Sequence, residues 1–393
     1  LVHVVVENIK KQSVELLQQL VRIPSLSGDE QAVAQAVEKK LKDLKFDEVW
    51  VDNLGSVIGV RKGAEPGAHI VFDAHMDVVQ MGQRDAWQHE PFGGELSDGK
   101  VWGRGSTDTK GSLAGMIMAL GSLDRGDIHG TVSLVASVGE EVFEGVGLKN
   151  ALTQLKPDGV VVGEPTQCRL GTGQKGRAKF WLRATGKPAH SSTPEQGENA
   201  VYKAANLIER IRQLPPNSSE IMGKGVVELI DVISEPYPST SMVPYACLLH
   251  YDRRLVENEK PEEILATYQK NLQDIKGWEV DFELIEFQAY TGSKVSQPDF
   301  HPAWYWPEET EWVRLAQQAL VESRLDPTPF VAPYCTNGST SAGEMGISSL
   351  IFGPSTIHLA HVVDEYIEVD EYLRGMRGFA NLAKKLGNFR QIG

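Results

Sequence analysis

A few of the ten histidines and 53 acidic residues in this 393-residue chain stand where chemistry could be done. His75 and Asp77 belong to Asp73-Ala74-His75-Met76-Asp77. Asp108 lies inside Gly103-Arg104-Gly105-Ser106-Thr107-Asp108-Thr109-Lys110-Gly111. Glu140 and Glu141 are adjacent, Glu164 sits in Gly163-Glu164-Pro165, and His361 follows Gly353-Pro354. Imidazole and carboxylate donors without thiolate suit zinc, cobalt or manganese in a hydrolytic centre rather than a structural zinc site. Two metals about 3.5–4 Å apart can clamp an attacking water and a polarised carbonyl. One carboxylate must then bridge them. Another must stay free as general base, because a metal-bound carboxylate is a poor proton acceptor. The pair Glu140-Glu141 can divide that labour.

Taken singly, these residues are ordinary. A lone histidine is more often structural than a ligand, and a Glu-Glu pair is usually a solvated surface. Their context changes the reading. Ile70-Val71-Phe72 leads into His75 and Asp77, Val132 to Val138 into Glu140-Glu141, Val160 to Val162 into Glu164, and Leu350 to Phe352 towards His361. Short apolar runs separated by helical patterns signal strands buried on both faces, hence an α/β domain. Open α/β sheets bind ligands at the carboxyl ends of their strands, so these groups should converge. Asp108 precedes an apolar helix, Leu113 to Leu123. His3, His69, His89, His129, His250, His301 and His358 lack such context and are read as structural; His358, close in sequence, is the rival of His361.

The remaining elements frame this domain. Ile9, Leu16, Leu17, Leu20 and Val21 form a helical stripe that Pro24 stops. Ser27 and Glu30 read as a capping box opening a second helix through Val33, Val37, Leu41 and Leu44. The middle of the chain reads β-α-β-β-α-β, with strands at Ala178–Thr185, Val226–Ile233, Met242–Tyr251 and Trp278–Phe287, and helices at Asn199–Leu214 and Pro261–Ile275. That order is ferredoxin-like. A domain spanning 177–288 is therefore expected to be inserted into an α/β domain made of 1–176 and 289–393.

Composition excludes some partners. A formal net charge of -14 argues against nucleic acid and anionic membranes. No apolar run approaches the ~20 residues of a membrane span. The apolar start, Leu1 to Val6, lacks a basic region and a cleavage site, so it is not read as a signal peptide. Cys168, Cys247 and Cys335 are scattered and odd in number, which suits a reducing, cytoplasmic setting. Gly171-Thr172-Gly173-Gln174-Lys175-Gly176 matches a dinucleotide fingerprint by letter, but a strand is expected to follow it, not a helix.

Together, the His-x-Asp, Gly-Arg-Gly-x-x-Asp-x-Lys-Gly, Glu-Glu and Gly-Glu-Pro motifs, running from Ile23-Pro24-Ser25 to His361-Val362-Val363-Asp364-Glu365, resemble a known family. It is the aminoacylase, acetylornithine deacetylase, succinyl-diaminopimelate desuccinylase and glutamate carboxypeptidase family of dinuclear zinc hydrolases. The resemblance implies a zinc-peptidase-like catalytic domain, a mixed sheet between helices, with an inserted lid and dimerisation domain. It implies that His75, Asp108 and Glu164 hold one zinc and that Asp108, Glu141 and His361 hold the other, with cobalt or manganese as alternatives. Glu140 would be the general base, and Asp77 would hydrogen-bond His75 and fix its tautomer. His190 resembles the lid histidine that reaches the partner's site to stabilise an oxyanion. Arg254 resembles the lid arginine that receives a substrate carboxylate. The Cys335-Thr336-Asn337-Gly338 loop resembles that of a peptidase-like branch linked to selenium metabolism, with Asn337 and Gly338 expected at the substrate. Ser241 and Ser355 depart from the pattern, standing where many relatives have Asn and Gly.

The expected activity is cleavage of the amide bond in a small N-acyl amino acid or peptide, by a homodimer whose lid closes on hinges near Gly173 to Gly176 and Thr291-Gly292. A non-catalytic binding protein that keeps the fold is the alternative. The presence of Glu140 and all five ligands favours the enzyme, and the absence of His-Glu-x-x-His speaks against a mononuclear zinc protease.

Overall fold

The computed structural model describes residues 2–390; the side chains of residues 2–7 are not described, so the readings of Leu1 to Val6 and of His3 lie outside the described residues. The chain opens with helices α1 (Val2–Val21) and α2 (Gln31–Asp43) and strands β1 (Glu48–Val51), β2 (Val57–Lys62) and β3 (Glu65–His75). Then come α3 (Lys110–Gly121), β4 (His129–Ser137), α4 (Val146–Leu155), β5 (Gly159–Val162) and β6 (Leu170–Gln174). The middle is β7 (Gly176–Thr185), α5 (Ala200–Arg212), β8 (Val226–Glu235), β9 (Ala246–Leu255), α6 (Pro261–Asn271) and β10 (Trp278–Phe282). The rest is β11 (Leu284–Gln288), β12 (Lys294–Pro298), β13 (Trp304–Tyr305), α7 (Glu311–Glu322), β14 (Pro329–Ala332), β15 (Ser348–Ile351) and α8 (Val369–Leu386).

The large sheet is ordered β1-β2-β4-β3-β5-β15-β6-β13, with β14 also on β6. At its centre β4, β3, β5 and β15 are mutually parallel, while β1, β2 and β6 join antiparallel, so the sheet is mixed. Alternation along the central strands sorts their side chains to two faces. Ile70, Phe72 and Ala74 of β3 and Val132, Leu134 and Ala136 of β4 pack with α1, α3, α7 and α8. Val71 and Val135 point the other way, onto Leu148, Ala151 and Leu152 of α4. Helix α3 is buried from Lys110 to Leu120, as its nearly unbroken apolar sequence requires.

The middle of the chain forms its own antiparallel sheet, β8-β9-β7-β10, with α5 and α6 on one face. Phe180 of β7 anchors that core, stacked on Tyr251 at 5.0 Å and on Tyr268 at 4.9 Å. The expected β-α-β-β-α-β order is present. One strand is not as expected. The stretch Trp278–Phe287 splits at Glu283: β10 pairs with β7, whereas β11 turns away to pair with β12. Phe287 and Ala289 are drawn into the core of the large domain. The chain then touches β7 again through Phe300 and His301 before Trp304 joins the large sheet. Thr291-Gly292 is thus the tip of a hairpin, tied down by Thr291 Oγ1 donating to the Asn53 carbonyl at 2.7 Å, and not a crossing. The chain passes between the domains at Lys175, on leaving β10 for the β11–β12 hairpin, on returning to β7 at Phe300, and at Pro302-Ala303.

Three further readings can be settled. Ser27 and Glu30 form no capping box; neither side chain caps α2, because both are drawn elsewhere, as described below. The letters Gly171 to Gly176 fall on β6 and the start of β7, with no helix after them. Among the described residues, no helix is long and apolar enough to cross a membrane.

Candidate metal centre

The four parallel strands end side by side, and the turns after them carry the expected donors. The Asp108 carboxylate lies between the two histidines, with Oδ1 3.1 Å from His75 Nε2 and Oδ2 3.2 Å from His361 Nε2. Glu141 Oε2 is 3.0 Å from His361 Nε2. Glu140 Oε2 and Glu164 Oε1 approach His75 Nε2 at 3.9 and 4.0 Å. His75, Asp108 and Glu141 offer atoms all within 4.8 Å of one another, as a metal site requires. His361 takes φ 62, in the left-handed region, and its side chain is half exposed. His358, the rival, is exposed and makes no contact with this group.

The electrostatics call for a cation. Neither the Glu140 nor the Glu164 carboxylate accepts a hydrogen bond from the described residues, although both are buried. Burial pushes both well above the ordinary carboxylate range, and neighbouring acids push them further. Burial and the Asp108 charge bring Glu141 up to about 7. Asp108 is held low despite burial, because His361 and His75 both hydrogen-bond it. Hydrogen bonds to Asp108 and Glu141 raise His361 to about 10. Buried carboxylates aimed at one another without donors, beside imidazoles at bridging distance, are the donor set of a divalent metal site. The residues present fit metal ions.

Surrounding groups hold these donors. His75 Nδ1 pairs with the backbone carbonyl of Asp77 at 2.9 Å; the Asp77 carboxylate is farther, at 3.6 Å. Asp77 thus meets His75 Nδ1 through its backbone carbonyl more closely than through its carboxylate. Its carboxylate instead accepts from the amides of Glu140 (3.1 Å) and Glu141 (3.0 Å) and from Ser27 Oγ (2.7 Å). The loop bearing Asp108 is fastened by Glu365, which sequence reasoning gave no role. Its buried carboxylate accepts from the amides of Gly105, Thr107 and Asp108 and from Arg104 at 2.6 Å. Glu365 closes the motif beginning at His361, but nothing in its type or spacing reveals this function.

The other expected residues are placed differently. Asn337 is buried and fully engaged: its amide donates to Asp73 at 2.8 Å and Ser137 at 3.1 Å, and its Oδ1 accepts from the Gly145 amide. Both of its amide hydrogens are used, and its Oδ1 accepts one bond. Gly338 is buried too, its amide on Thr336 Oγ1, and a β-carbon there would meet the Trp304 ring at 2.9 Å. His190 is exposed on the smaller domain, with Nδ1 2.7 Å from Ser192 Oγ and no bond to the metal cluster. Arg254, on β9, is partly exposed, its nearest ion-pair partner Asp252 at 3.4 Å. Ser355 and Ser241 take φ 69 and 49, the left-handed region that Gly and Asn enter most readily. Ser355 Oγ is 2.7 Å from Thr107 Oγ1, which helps hold that conformation.

The comparisons agree with this picture. The family model described as "Peptidase family M20/M25/M40" matches residues 71–385. A "Probable succinyl-diaminopimelate desuccinylase" of Staphylococcus aureus (strain MRSA252) is 26% identical over 400 residues, covering 93% of this chain and 95% of that protein. Among solved structures, aminopeptidase PepT from Bacillus cereus ATCC 10987 superposes with a TM-score of 0.75 at 20% identity, covering 96% of this chain and 98% of that one. The Bacillus subtilis YXEP protein, described as a dinuclear metal binding peptidase, superposes with a TM-score of 0.68 at 15% identity, covering 96% and 98%.

Proposed function

The chain belongs to peptidase family M20/M25/M40 and is a metal-dependent hydrolase of amide bonds, and from this premise we propose that it acts on a small N-acyl amino acid or peptide with two zinc ions per subunit. The observation that carries the reading is the Asp108 carboxylate, which offers one oxygen towards each histidine at 3.1 and 3.2 Å. A carboxylate so placed suits a bridge between two ions. His75 and Glu164 would complete one ligand set, Glu141 and His361 the other. The dinuclear description of the Bacillus subtilis neighbour supports the count. When bound, the metals supply Lewis-acid polarisation of the scissile carbonyl and make water at the site more acidic.

Glu140 is the base in this reading. It stands beside the ligand sets, its carboxylate otherwise unpartnered, and would take a proton from the attacking water and pass it to the leaving nitrogen. His190 would donate to the developing oxyanion from the partner's lid, and Arg254 would receive a substrate carboxylate. The domain at 177–288 would be that lid, and its free edge strand β8 the dimer contact. Ile230, Val232 and Ile233 on that strand are exposed, and β8 pairs on one side only. Such an edge suits pairing with its symmetry mate. Three unpaired cysteines support a reducing, cytoplasmic location.

A panel of N-acetyl, N-succinyl and N-carbamoyl amino acids and dipeptides, assayed with zinc, cobalt and manganese after metal analysis, tests the proposal. Turnover of one class with metal content rising to two per subunit is the expected result. Saturation at one metal would sink the dinuclear reading.

A further inference from the structure

The segment between α1 and α2 is fastened to the metal centre along its length. Lys110 Nζ donates to the Ile23 carbonyl at 2.7 Å, Ser25 Oγ to the Met76 carbonyl at 2.8 Å, and the Val78 amide to the Ser25 carbonyl at 2.9 Å. Ser27 Oγ donates to Asp77 Oδ2 at 2.7 Å. Glu30, buried, accepts the Gly139 amide on Oε1 at 3.0 Å. The amides of Gly139, Glu140 and Glu141 emerge in succession from the end of β4, and buried amides need acceptors. Two carboxylates supply them: Glu30 takes the first, Asp77 the second and third. Gly139 itself has φ 73, and a β-carbon there would meet the Phe287 ring at 2.6 Å. No side chain can anchor that residue, so the hydrogen bonds at its amide, to Glu30, and at its carbonyl, from the Phe143 amide at 2.9 Å, fix where the next residue points.

We propose that Glu30 is a positioning residue for Glu140, its carboxylate holding the Gly139 amide so that the Glu140 side chain is aimed at the metal cluster. The proposal rests on Glu140 as general base. A base displaced by about 1 Å loses on the order of 10²-fold in rate, so a missing anchor one residue away should appear in kcat and not in binding. Glutamine is the conservative replacement. Burial and the Asp77 charge raise Glu30 to about 7, and glutamine keeps the shape and the acceptor oxygen of its neutral form. Methionine keeps the length and removes the acceptor.

The test compares Glu30→Gln, Glu30→Met, Glu140→Gln and the double variant Glu30→Met/Glu140→Gln, each with kcat, KM, metal content and Tm. Glu30→Met should lose about 10–100-fold in kcat with KM and metal content within about 2-fold, while Glu30→Gln stays within about 3-fold of wild type. The double variant should be no slower than Glu140→Gln alone, because Glu30 acts through Glu140. A structural role alone would lower Tm in Glu30→Met and leave kcat in place, and that overturns the proposal. So does a double variant whose losses multiply. An active Glu140→Gln would instead defeat the assignment of the base, a result distinct from an active Glu30→Met beside an inactive Glu140→Gln. If Glu30→Met does not fold, Glu30→Asp, which withdraws the carboxylate by one methylene from Gly139, carries the same expectation.

Discussion

Asp108 reaches both histidines, while the Glu140 and Glu164 carboxylates accept no hydrogen bond from the described residues, and the proposed roles give the bridge to Asp108 and the base to Glu140. A carboxylate that bridges cannot also shuttle a proton, whereas one left beside the metals can. Glu140→Gln should therefore keep its metals and lose about 10²–10⁴-fold in kcat. Elemental analysis beside steady-state kinetics checks this, and near-normal turnover would move the base to Glu141. Removing the metals should also destabilise the fold. Without cations, buried acids that no donor satisfies must repel one another or take up protons. A ligand at about 1,000 times its Kd adds roughly 4 kcal/mol. Calorimetry with and without a chelator should show Tm falling and recovering on adding zinc; an indifferent Tm would mean the donor set needs no cation.

At the scale of elements, the turn from Glu140 to Gly145 is where the two domains meet. Arg177, the second residue of β7, holds Glu144 bidentately, Nε to Oε1 at 2.9 Å and Nη2 to Oε2 at 2.5 Å, and reaches Asp299 at 3.2 Å. The pair is largely buried, its side chains 12% and 15% exposed. Removing one partner of such a pair strands the other, at about 3–5 kcal/mol. Arg177→Met should lose stability on that order in denaturant titrations; a change below about 1 kcal/mol would show that water replaces the guanidinium. The pH dependence follows from Glu144. Burial raises it, but His301 and Arg177 outweigh burial and hold it below the usual 4.5. A lowered folded pKa gives stability that is present above that value and lost as pH falls through the folded one. The acid limb of a stability–pH curve should therefore flatten in Arg177→Met.

Taken whole, the molecule carries the proposed base and metal donors on one domain and His190 and Arg254 on the other, and within one chain no bond joins His190 to the cluster. If the lid serves catalysis, it must close, bending at Lys175, at both connections to the β11–β12 hairpin and at Pro302-Ala303, and the partner's lid must supply His190. His190→Ala should lower kcat far more than it raises KM, whereas Arg254→Ala should weaken binding of carboxylate-bearing substrates. Mixing His190→Ala with Glu140→Gln tests the trans arrangement: a heterodimer would regain one complete site, and purified heterodimers without turnover would defeat it. Introducing lysine at Ile230 and Val232 on the exposed edge strand should yield a monomer by light scattering, since buried like charges would face their symmetry mates. A persistent dimer would place the contact elsewhere.

The sequence alone determined which donors are present and that they gather. His75, Glu140, Glu141, Glu164 and His361 each lie beyond a short apolar run, and such runs become parallel neighbours whose carboxyl ends share one edge. That information is local, so it could be read along the chain. The β-α-β-β-α-β middle was legible for the same reason, through alternation and helical stripes. The partner of each polar group was not legible. Ser27 and Glu30 have the spacing of a capping box, yet their acceptor and donor lie 50 and 109 residues away, at Asp77 and Gly139. Glu365 clamps the Asp108 amide across 257 residues. Asn337, expected at the substrate, bonds Asp73, Ser137 and Gly145, contacts its position in the chain does not announce. Side chains such as these satisfy whichever buried amide or hydroxyl the packed chain brings near, and only the tertiary structure, by burying those groups together, decides which that is.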